Sequence, residues 1–278
     1  MLLGAHVSIQ GGLPKAPERA AGIGCECFQI FTRSPRGGPA GKITPELVKD
    51  FRRACAQYEQ NAWYIHTPYY INLASTDRRI YPASISVVRE ELERGSAIGA
   101  SAVMTHLGSA GDAPRAEALK RVIAGIKKIL SGYRGSTRLL AEIAAGSGGI
   151  LGDSFEELAA VVKATRGKCG VCFDTQHAFA SGYDLRTPKA VGRTFDAFDN
   201  IIGLEQLMLS HCNDSLTPFG SHKDRHSNIG QGEIGRKGFQ AILQEPRLKD
   251  INFILETRTE GVRGDIKLLK RLRGKSRP

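Results

Sequence analysis

The feature of this sequence that most restricts its fold is a regular alternation of short apolar runs with segments of helical period. The apolar runs have the length of strands, and the segments between them place apolar side chains on one helical face. Eight runs are predicted to form strands, at residues 2–6, 27–31, 62–66, 102–106, 139–143, 170–174, 206–211 and 252–256. Eight strand–helix units in 278 residues favour a (β/α)8 barrel, the TIM barrel, over an open doubly wound sheet.

Start signals mark several of the predicted helices. Thr44 and Thr187 each precede a proline, which suits the first position of a helix. Ser154 and Glu157 have the spacing of a capping box that opens a helix ending near residue 165. Two further helices are predicted at 237–243 and from about 264 to 272. The chain has no linker or low-complexity tract, so we expect a single domain over residues 1–278 with a basic tail from about 273.

Charge and cysteine content narrow the class of protein. The formal net charge is +11, which favours a polyanionic partner because binding to phosphates releases counterions. Six cysteines are too few and too irregularly spaced for a disulfide framework, and the pairs Cys25-x-Cys27 and Cys169-x-x-Cys172 are expected in the buried core. No apolar run is long enough to span a bilayer and the N-terminus lacks a signal pattern, so we expect a cytoplasmic protein without a membrane partner.

One segment, residues 211–235, is rich in side chains that bind metals. Its first sixteen residues contain His211, Asp214, His222, Asp224 and His226, separated mainly by polar residues and glycine. Histidine together with carboxylate suits zinc, and the Asp224-x-His226 pair can place two donors on one ion. Taken alone, the segment fits a polar surface loop equally well, so its interpretation depends on the rest of the chain.

Similar donors stand at the ends of six predicted strands. They are His66, His106, Glu142, Asp174, His211 and Glu256. Packing gives apolar strands no reason to end in this way, and in a TIM barrel the carboxyl ends of the strands meet at one rim. With His177, Asp224 and His226 the set has nine donors, too many for one tetrahedral zinc but suited to two or three ions with a bridging carboxylate. Two ions about 3.5–4 Å apart can activate water and hold the oxygens of a phosphoryl group during in-line displacement.

The same residues lie within motifs that resemble the endonuclease IV family, the zinc-dependent apurinic/apyrimidinic endonucleases built on a TIM barrel. The resemblance covers nearly the whole chain in order. Its segments are GAHVSIQGG from Gly4, FQIFTRSPRG from Phe28, HTPYYINLAS from His66, CFDTQHAFASGYD from Cys172, HCNDSLTPFGSHKDRHSNIGQGEIG from His211 and LET from Leu255. The DTxHxFAxGYD and HxNDS…GSxxDRHxxIGxGxIG patterns are highly specific.

Carried over by matched position, the resemblance implies three zinc ions per chain, with manganese open as a partial substitute. The first ion would be held by His66, His106 and Glu142. The second would be held by Glu142, as a bridge, together with Asp174, His211 and Glu256. The third would be held by His177, Asp224 and His226. Glu142, Asp174 and Glu256 are thereby the expected catalytic carboxylates, since the first two ions would share the attacking water.

The resemblance also implies the reaction and the partner. The family hydrolyses the phosphodiester bond on the 5′ side of an abasic site in DNA base-excision repair, which leaves a 3′-hydroxyl and a 5′-deoxyribose phosphate. Related members also trim blocked 3′ ends. The expected partner is therefore double-stranded DNA with abasic sites, at the nucleoid if the source is prokaryotic, and a monomer is the default expectation.

Three residues are expected to contact the damaged duplex. The resemblance implies that Arg36, Tyr69 and Tyr70 enter or flank the duplex where the abasic nucleotide is flipped out. An abasic nucleotide lacks the stacking and pairing of one base, so its extrusion costs less than that of an intact nucleotide. An arginine or an aromatic ring can then fill the gap, while other Lys and Arg side chains on the rim would hold phosphates.

The chain departs from the family pattern at a few positions. Ile143 and Ala144 follow Glu142 where the family usually has Asn and Thr, and Leu216 stands where lysine is common. Residues 37–39 lack the usual bulky residue after the Ser-Pro-Arg turn. Because polar groups that support metal ligands commonly affect metal affinity and activity, Ile143 and Ala144 are expected to weaken one or the other.

Two other functions fit parts of the pattern. A sugar isomerase or epimerase on the related xylose isomerase-like barrel would also use histidines and carboxylates around metals. It would not require the Asp224-x-His226 site or a basic chain. A non-catalytic DNA-binding protein that kept the barrel would show salt-sensitive duplex binding without cleavage, but no expected ligand is missing from this sequence.

Overall fold

The eight predicted strands pair in parallel around a closed barrel in the computed structural model, which describes residues 1–257 and 259–274. The strands are β1 (Leu3–His6), β2 (Cys27–Ile30), β3 (Trp63–His66), β4 (Ala102–Thr105), β5 (Arg138–Glu142), β6 (Cys169–Asp174), β7 (Leu207–His211), β8 (Asp214–Ser215), β9 (His226–Ser227) and β10 (Phe253–Leu255). β1 to β7 follow one another around the barrel, and β10 closes it between β7 and β1. β8 and β9 form a separate antiparallel pair above the barrel rim. The predicted TIM barrel is confirmed.

Helices connect the strands and cover the outside of the barrel. They are α1 (Lys15–Ile23), α2 (Pro45–Gln57), α3 (Ile80–Ile98), α4 (Arg115–Leu130), α5 (Phe155–Ala164), α6 (Thr175–Ala180), α7 (Pro188–Ile201), α8 (Gly235–Gln244) and α9 (Thr259–Arg273). α6 is a short additional helix that begins directly at the end of β6. Within the described residues, no helix combines the length and the apolar character that crossing a membrane requires.

The predicted helix starts agree with the structure, with two corrections. The side chains of Thr44, Thr187 and Ser154 accept hydrogen bonds from main-chain amides at the starts of α2, α7 and α5. The capping box at α5 is only half formed, because Glu157 accepts from the amide of Gly152 instead of that of Ser154. α9 starts five residues before the expected 264, since its buried apolar stripe already begins at Val262.

The C-terminal end of the described chain is held by an ion pair. The Arg273 guanidinium, at the end of α9, donates to both carboxylate oxygens of Glu26 at 2.7 and 2.8 Å. The predicted basic tail begins here, and its residues 275–278 lie outside the described part of the chain.

Two layers of apolar side chains make up the core. A small cluster fills the barrel interior, around Cys27, Met104, Leu140 and Ile254. A much larger cluster lies between the strands and the helices. All six cysteines are buried free thiols, which confirms the buried positions predicted for the pairs Cys25-x-Cys27 and Cys169-x-x-Cys172. The barrel interior is therefore packed with apolar side chains, and the predicted metal ligands lie at the carboxyl ends of the strands.

We predict that Gly4→Ala destabilises the barrel by about 2 kcal/mol or more, because a methyl group in close contact with main chain cannot be accommodated without backbone movement. A Cβ atom at Gly4 would overlap the carbonyl of Cys27 on the neighbouring strand β2. The measurement is the free energy of unfolding in urea at constant metal load.

Gly22→Ala is the matched control. A Cβ atom at Gly22, within α1, has no neighbour within 4 Å. Alanine should therefore leave stability unchanged or raise it by about 0.5–1 kcal/mol, as expected in a helix interior. Equal effects of the two substitutions would contradict the close β1–β2 approach.

Candidate metal centre

The barrel mouth collects all nine predicted metal ligands. His66, Glu142, Asp174 and His211 are the last residues of β3, β5, β6 and β7, while His106 and Glu256 directly follow β4 and β10. Three groups of donor atoms result, each within 4.8 Å: His66, His106 and Glu142; Glu142, Asp174, His211 and Glu256; Asp174, His177 and His226. Asp224 lies against the third group, as described below. Strands separated in sequence thus deliver donors to one place because the parallel barrel aligns their ends.

Glu142 connects the first two groups. Its Oε2 lies 3.2 Å from His66 Nε2 and 3.5 Å from His106 Nε2. Its Oε1 lies 2.7 Å from His211 Nδ1, on the other side of the carboxylate. The residue is fully buried, so both oxygens are committed to these histidines. This geometry would allow the carboxylate to bridge two metal ions.

The second group is arranged around His211. Its Nδ1 lies 3.2 Å from Glu256 Oε2 and 3.9 Å from Asp174 Oδ2. Asp174 is fully buried, and its Oδ1 accepts from the main-chain amide of His177 at 2.8 Å, which caps α6. Its Oδ2 thus remains turned toward the second and third groups.

The third group combines α6 with the loop around β9. His177 Nε2 and His226 Nε2 are 3.4 Å apart. The two oxygens of Asp224 lie 3.4 Å from His177 Nε2 and 3.3 Å from His226 Nε2. Asp224 is the most exposed of the three, with about half of its side chain accessible. The predicted third set is therefore assembled, at the solvent side of the cluster.

These spacings suit zinc. Donor atoms that are each about 2.0–2.1 Å from a tetrahedral ion lie roughly 3.3 Å from one another. The separations of 3.2 and 3.5 Å in the first group and 3.3 and 3.4 Å in the third are close to that value. Mixed imidazole and carboxylate donors are also a set that zinc prefers. The residues present fit a cluster of metal ions.

Main-chain carbonyls orient two of the imidazoles. His66 Nδ1 donates to the carbonyl of Thr67 at 2.6 Å, and His177 Nδ1 donates to that of Ile143 at 3.0 Å, so each Nε2 is left facing its group. The carbonyl of Ala144 accepts from Ser181 Oγ at 2.7 Å. Because these contacts use the backbone, the unusual side chains of Ile143 and Ala144 do not remove them. The expected effect of the apolar side chains of Ile143 and Ala144 on metal affinity or activity stays a prediction.

The charges of the cluster favour the binding of cations. Burial raises the pKa of a carboxyl group, yet His106 and His211 outweigh it and hold the pKa of Glu142 well below its usual value. Burial lowers the pKa of an imidazole, but Asp174, Asp224 and Glu142 raise the pKa of His177 well above its usual value. Protons and metal ions compete for such groups, so metal binding would displace the histidine protons.

Two other polar residues of the 211–235 segment lie apart from the donors. Asp214 is fully buried and accepts from the main-chain amides of Gly230, Gly232 and Ile234 at 2.9 to 3.0 Å. It therefore anchors the loop that follows His226. His222 is exposed, and its own main-chain groups hydrogen-bond to Ala180 and Ser147.

Residues outside the predicted donor set also contact the predicted ligands, among them Asn213 and His6. Asn213 Nδ2 donates to Asp174 Oδ2 at 2.6 Å, and Asn213 Oδ1 accepts from the amide of Glu256 at 2.9 Å, so it holds two predicted ligands. His6 Nδ1 lies 4.0 Å from Glu256 Oε1, and burial lowers the pKa of His6 to about 4. His6 is the last residue of its strand, so the rule that identified the other strand-end donors could have found it.

The predicted DNA-contact residues stand on the rim. Arg36 is exposed, and the side chains of Tyr69 and Tyr70 are 70% and 40% exposed. The amide of Tyr69 donates to the carbonyl of Pro35, which links its loop to that of Arg36. The ring of Tyr69 packs edge-on against Phe31, with 5.2 Å between centroids. It borders a depression of about 400 Å³ above the donor cluster.

Comparison with known proteins agrees with this arrangement. A family model described as the xylose isomerase-like TIM barrel matches residues 17–272. Fold and site therefore define the chain as a xylose isomerase-like TIM barrel with groups of donors at its mouth that could hold metal ions. A curated relative from Carboxydothermus hydrogenoformans, named "Probable endonuclease 4", is 39% identical over 274 residues, which cover 98% of this chain and 96% of the relative. The chain belongs to the endonuclease IV family.

Solved structures with the same fold include an endonuclease IV and also proteins of other kinds. The crystal structure of endonuclease IV from Thermus thermophilus has a TM-score of 0.88 at 33% identity, with 98% of each chain covered. A D-tagatose 3-epimerase-like protein has a TM-score of 0.74 at 18% identity, over 99% of this chain and 98% of that one. The second likeness shows a shared fold only.

We predict that thorough chelation lowers the melting temperature. Four carboxylates meet at the mouth, from Glu142, Asp174, Asp224 and Glu256, and cations offset their repulsion. One ion at 100 times its dissociation constant stabilises a fold by about 2.7 kcal/mol, which is about 5 °C or more for a chain of this size. Calorimetry before and after chelation measures the shift, and added zinc should reverse it. An unchanged melting curve would contradict a stabilising metal cluster.

Proposed function

We propose that this endonuclease IV family member cleaves the phosphodiester bond on the 5′ side of an abasic site in double-stranded DNA, with three zinc ions, as a step of base-excision repair. The observation that carries the proposal is the arrangement of three donor groups around the buried bridge Glu142. The products would be a 3′-hydroxyl and a 5′-deoxyribose phosphate. Trimming of blocked 3′ ends would use the same centre.

Each donor group would hold one ion. The ligands would be His66, His106 and Glu142 for the first, Glu142, Asp174, His211 and Glu256 for the second, and His177, Asp224 and His226 for the third. When bound, zinc ions act as Lewis acids that neutralise phosphate charge and make water a stronger nucleophile. Glu142, Asp174 and Glu256 would serve as the catalytic carboxylates because they surround the two inner positions.

The protein would contribute to catalysis by holding the metal ligands at the barrel mouth in fixed orientations. The hydrogen bonds from His66 to Thr67 and from His177 to Ile143 keep each imidazole turned before substrate arrives. A phosphate in the depression above the cluster would face donors on several strands at once. Groups that are already aligned need no reorganisation during the reaction, which is a major source of catalytic power.

The rim would recognise DNA at the lesion. Arg36, Lys223 and Arg225 are exposed around the mouth and suit contacts with phosphates. The ring of Tyr69 is presented to solvent on the support of Phe31, so it would enter or flank the gap at low entropic cost. Tyr70 would act beside it. The net charge of +11 supports a polyanionic substrate.

All nine donors come from one chain, so we propose that a monomer is sufficient for activity. A sugar epimerase would share the barrel but would need neither the third donor group nor a strongly basic chain. A DNA-binding protein without catalytic activity would be expected to have lost at least one donor, whereas all nine are present. Zinc is the expected metal, and manganese at one position is distinguished by elemental analysis.

We predict that the native protein contains close to three zinc ions per chain and nicks an abasic-site duplex on the 5′ side of the lesion. Glu142→Gln should lose metal and slow cleavage by at least about 100-fold, because it removes the bridge itself and loss of a supporting residue alone costs 10–100-fold. The measurements are elemental analysis and a gel assay on one labelled duplex.

The exposed Glu59→Gln is the control, since it makes the same chemical change directly after the C-terminal end of α2, on the side of the barrel opposite the mouth. Cleavage by metal-loaded protein that is equal in wild type and Glu142→Gln would refute the proposed centre. Two metals per chain with turnover of a free sugar and no nick would favour the epimerase alternative.

We predict that Tyr69→Ala weakens binding to an abasic-site duplex about tenfold or more and binding to an intact duplex much less, since loss of one base–aromatic contact costs about 1–3 kcal/mol. Fluorescence anisotropy at fixed salt measures both affinities. Tyr58→Ala is the matched control, because Tyr58 lies at the C-terminal end of α2, on the opposite side of the barrel. Equal losses on both duplexes would argue against a role at the lesion.

A further inference from the structure

Gln29, on β2, is a fully buried amide that contacts the centre without belonging to the expected donor set. Its Nε2 donates to Glu256 Oε1 at 2.6 Å, and its Oε1 lies 2.8 Å from His211 Nε2. The same Nε2 lies 3.0 Å from Nδ1 of His6, its cross-strand neighbour on β1. A single side chain therefore joins two expected ligands of the second ion.

The chemistry of these partners determines which way the amide points. As a metal ligand, Glu256 would be a carboxylate that can only accept hydrogen bonds, so the Gln29 atom that lies 2.6 Å from its Oε1 is the nitrogen. The Gln29 oxygen then faces His211 Nε2 and can only accept as well. His211 Nε2 must therefore carry a proton, whatever the state of Nδ1.

This leaves Nδ1 as the single atom of His211 that can bind a metal. Nδ1 is also the nitrogen that faces Glu142, at 2.7 Å, and Glu256 Oε2, at 3.2 Å. On the Glu256 side, the hydrogen bond from Gln29 engages Oε1 and leaves Oε2 turned toward the cluster. The amide thus selects one atom on each of two ligands.

We propose that Gln29 is a positioning residue for the second metal ion, which sets the coordinating nitrogen of His211 and the coordinating oxygen of Glu256. The inference rests on the metal centre proposed above. Within the described residues, the donors that the Gln29 side chain contacts are Glu256 and His211, both of the second group, and its remaining partner is His6. We therefore expect an effect on one ion of the three. Partners of this kind typically change metal affinity by 10–100-fold.

The test compares Gln29→Met with wild type, since methionine keeps the length of the side chain and removes its hydrogen bonds. Zinc release to a chromogenic chelator should show one ion per chain bound at least about tenfold more weakly, with the other ions unchanged. Gln60→Met is the matched control: Gln60 is also buried, but its amide donates to the carbonyls of Cys25 and Tyr58, away from the mouth. It should release zinc like wild type.

A second measurement does not depend on a variant. Nitrogen-15 NMR of histidine-labelled, zinc-loaded wild type should show a protonated Nε2 and a metal-bound Nδ1 for His211. An unprotonated Nε2 would overturn the inference even if Gln29→Met fails to fold. The inference is equally overturned if Gln29→Met retains all its zinc at wild-type affinity, or if Gln60→Met loses the same ion.

These outcomes are distinguishable from failure of the proposed function. Wild type with three zincs and 5′ nicking, combined with unchanged zinc release in Gln29→Met, would overturn only the role of Gln29. Wild type that binds no zinc would overturn the proposed centre and the role of Gln29 with it.

Discussion

The structure depends on one buried carboxylate, Glu142, whose two oxygens face different groups of histidines. Burying a charged group in the low-dielectric interior costs free energy unless the charge is paired, and the side chain of Glu142 has no contact with solvent. Its partners at 2.7 to 3.5 Å, His66, His106 and His211, lie on three separate strands or directly behind them. The position of Glu142 at the end of β5 thus determines where the other donors must be.

The barrel supplies rigidity where strands end, but the third donor group is built partly on a loop. Asp224 and His226 lie beyond the barrel, in the segment between β8 and the start of α8. His226 is held by the short antiparallel pairing of β9 with β8, and Asp214 on β8 adds to this because its buried carboxylate accepts hydrogen bonds from main-chain amides of the loop after β9.

The same barrel supports different chemistries in different proteins, so the fold carries little information about the substrate. What separates this chain from a barrel of the same shape is the donor set and the rim. Glu142 belongs to the first and second donor groups, Asp174 belongs to the second and third, and the exposed ring of Tyr69 lies at the rim of the same mouth. Orientation of the imidazoles comes from carbonyls of Thr67 and Ile143, which explains why an unusual side chain at position 143 leaves these contacts intact.

The barrel and the expected donors could be predicted from the sequence, because strand period, strand count and strand-end residues are local properties of the chain. The family motifs added which donors belong together. Tertiary structure decided which atom of each ligand is free, since that depends on partners distant in sequence: Gln29 for His211 and Asn213 for Asp174. It also decided that Asp214 anchors a loop and that His222 faces solvent, although both resemble ligands in the sequence. Local patterns report the kinds of residue and their spacing, whereas hydrogen-bond partners and burial arise only when the strands close into a barrel.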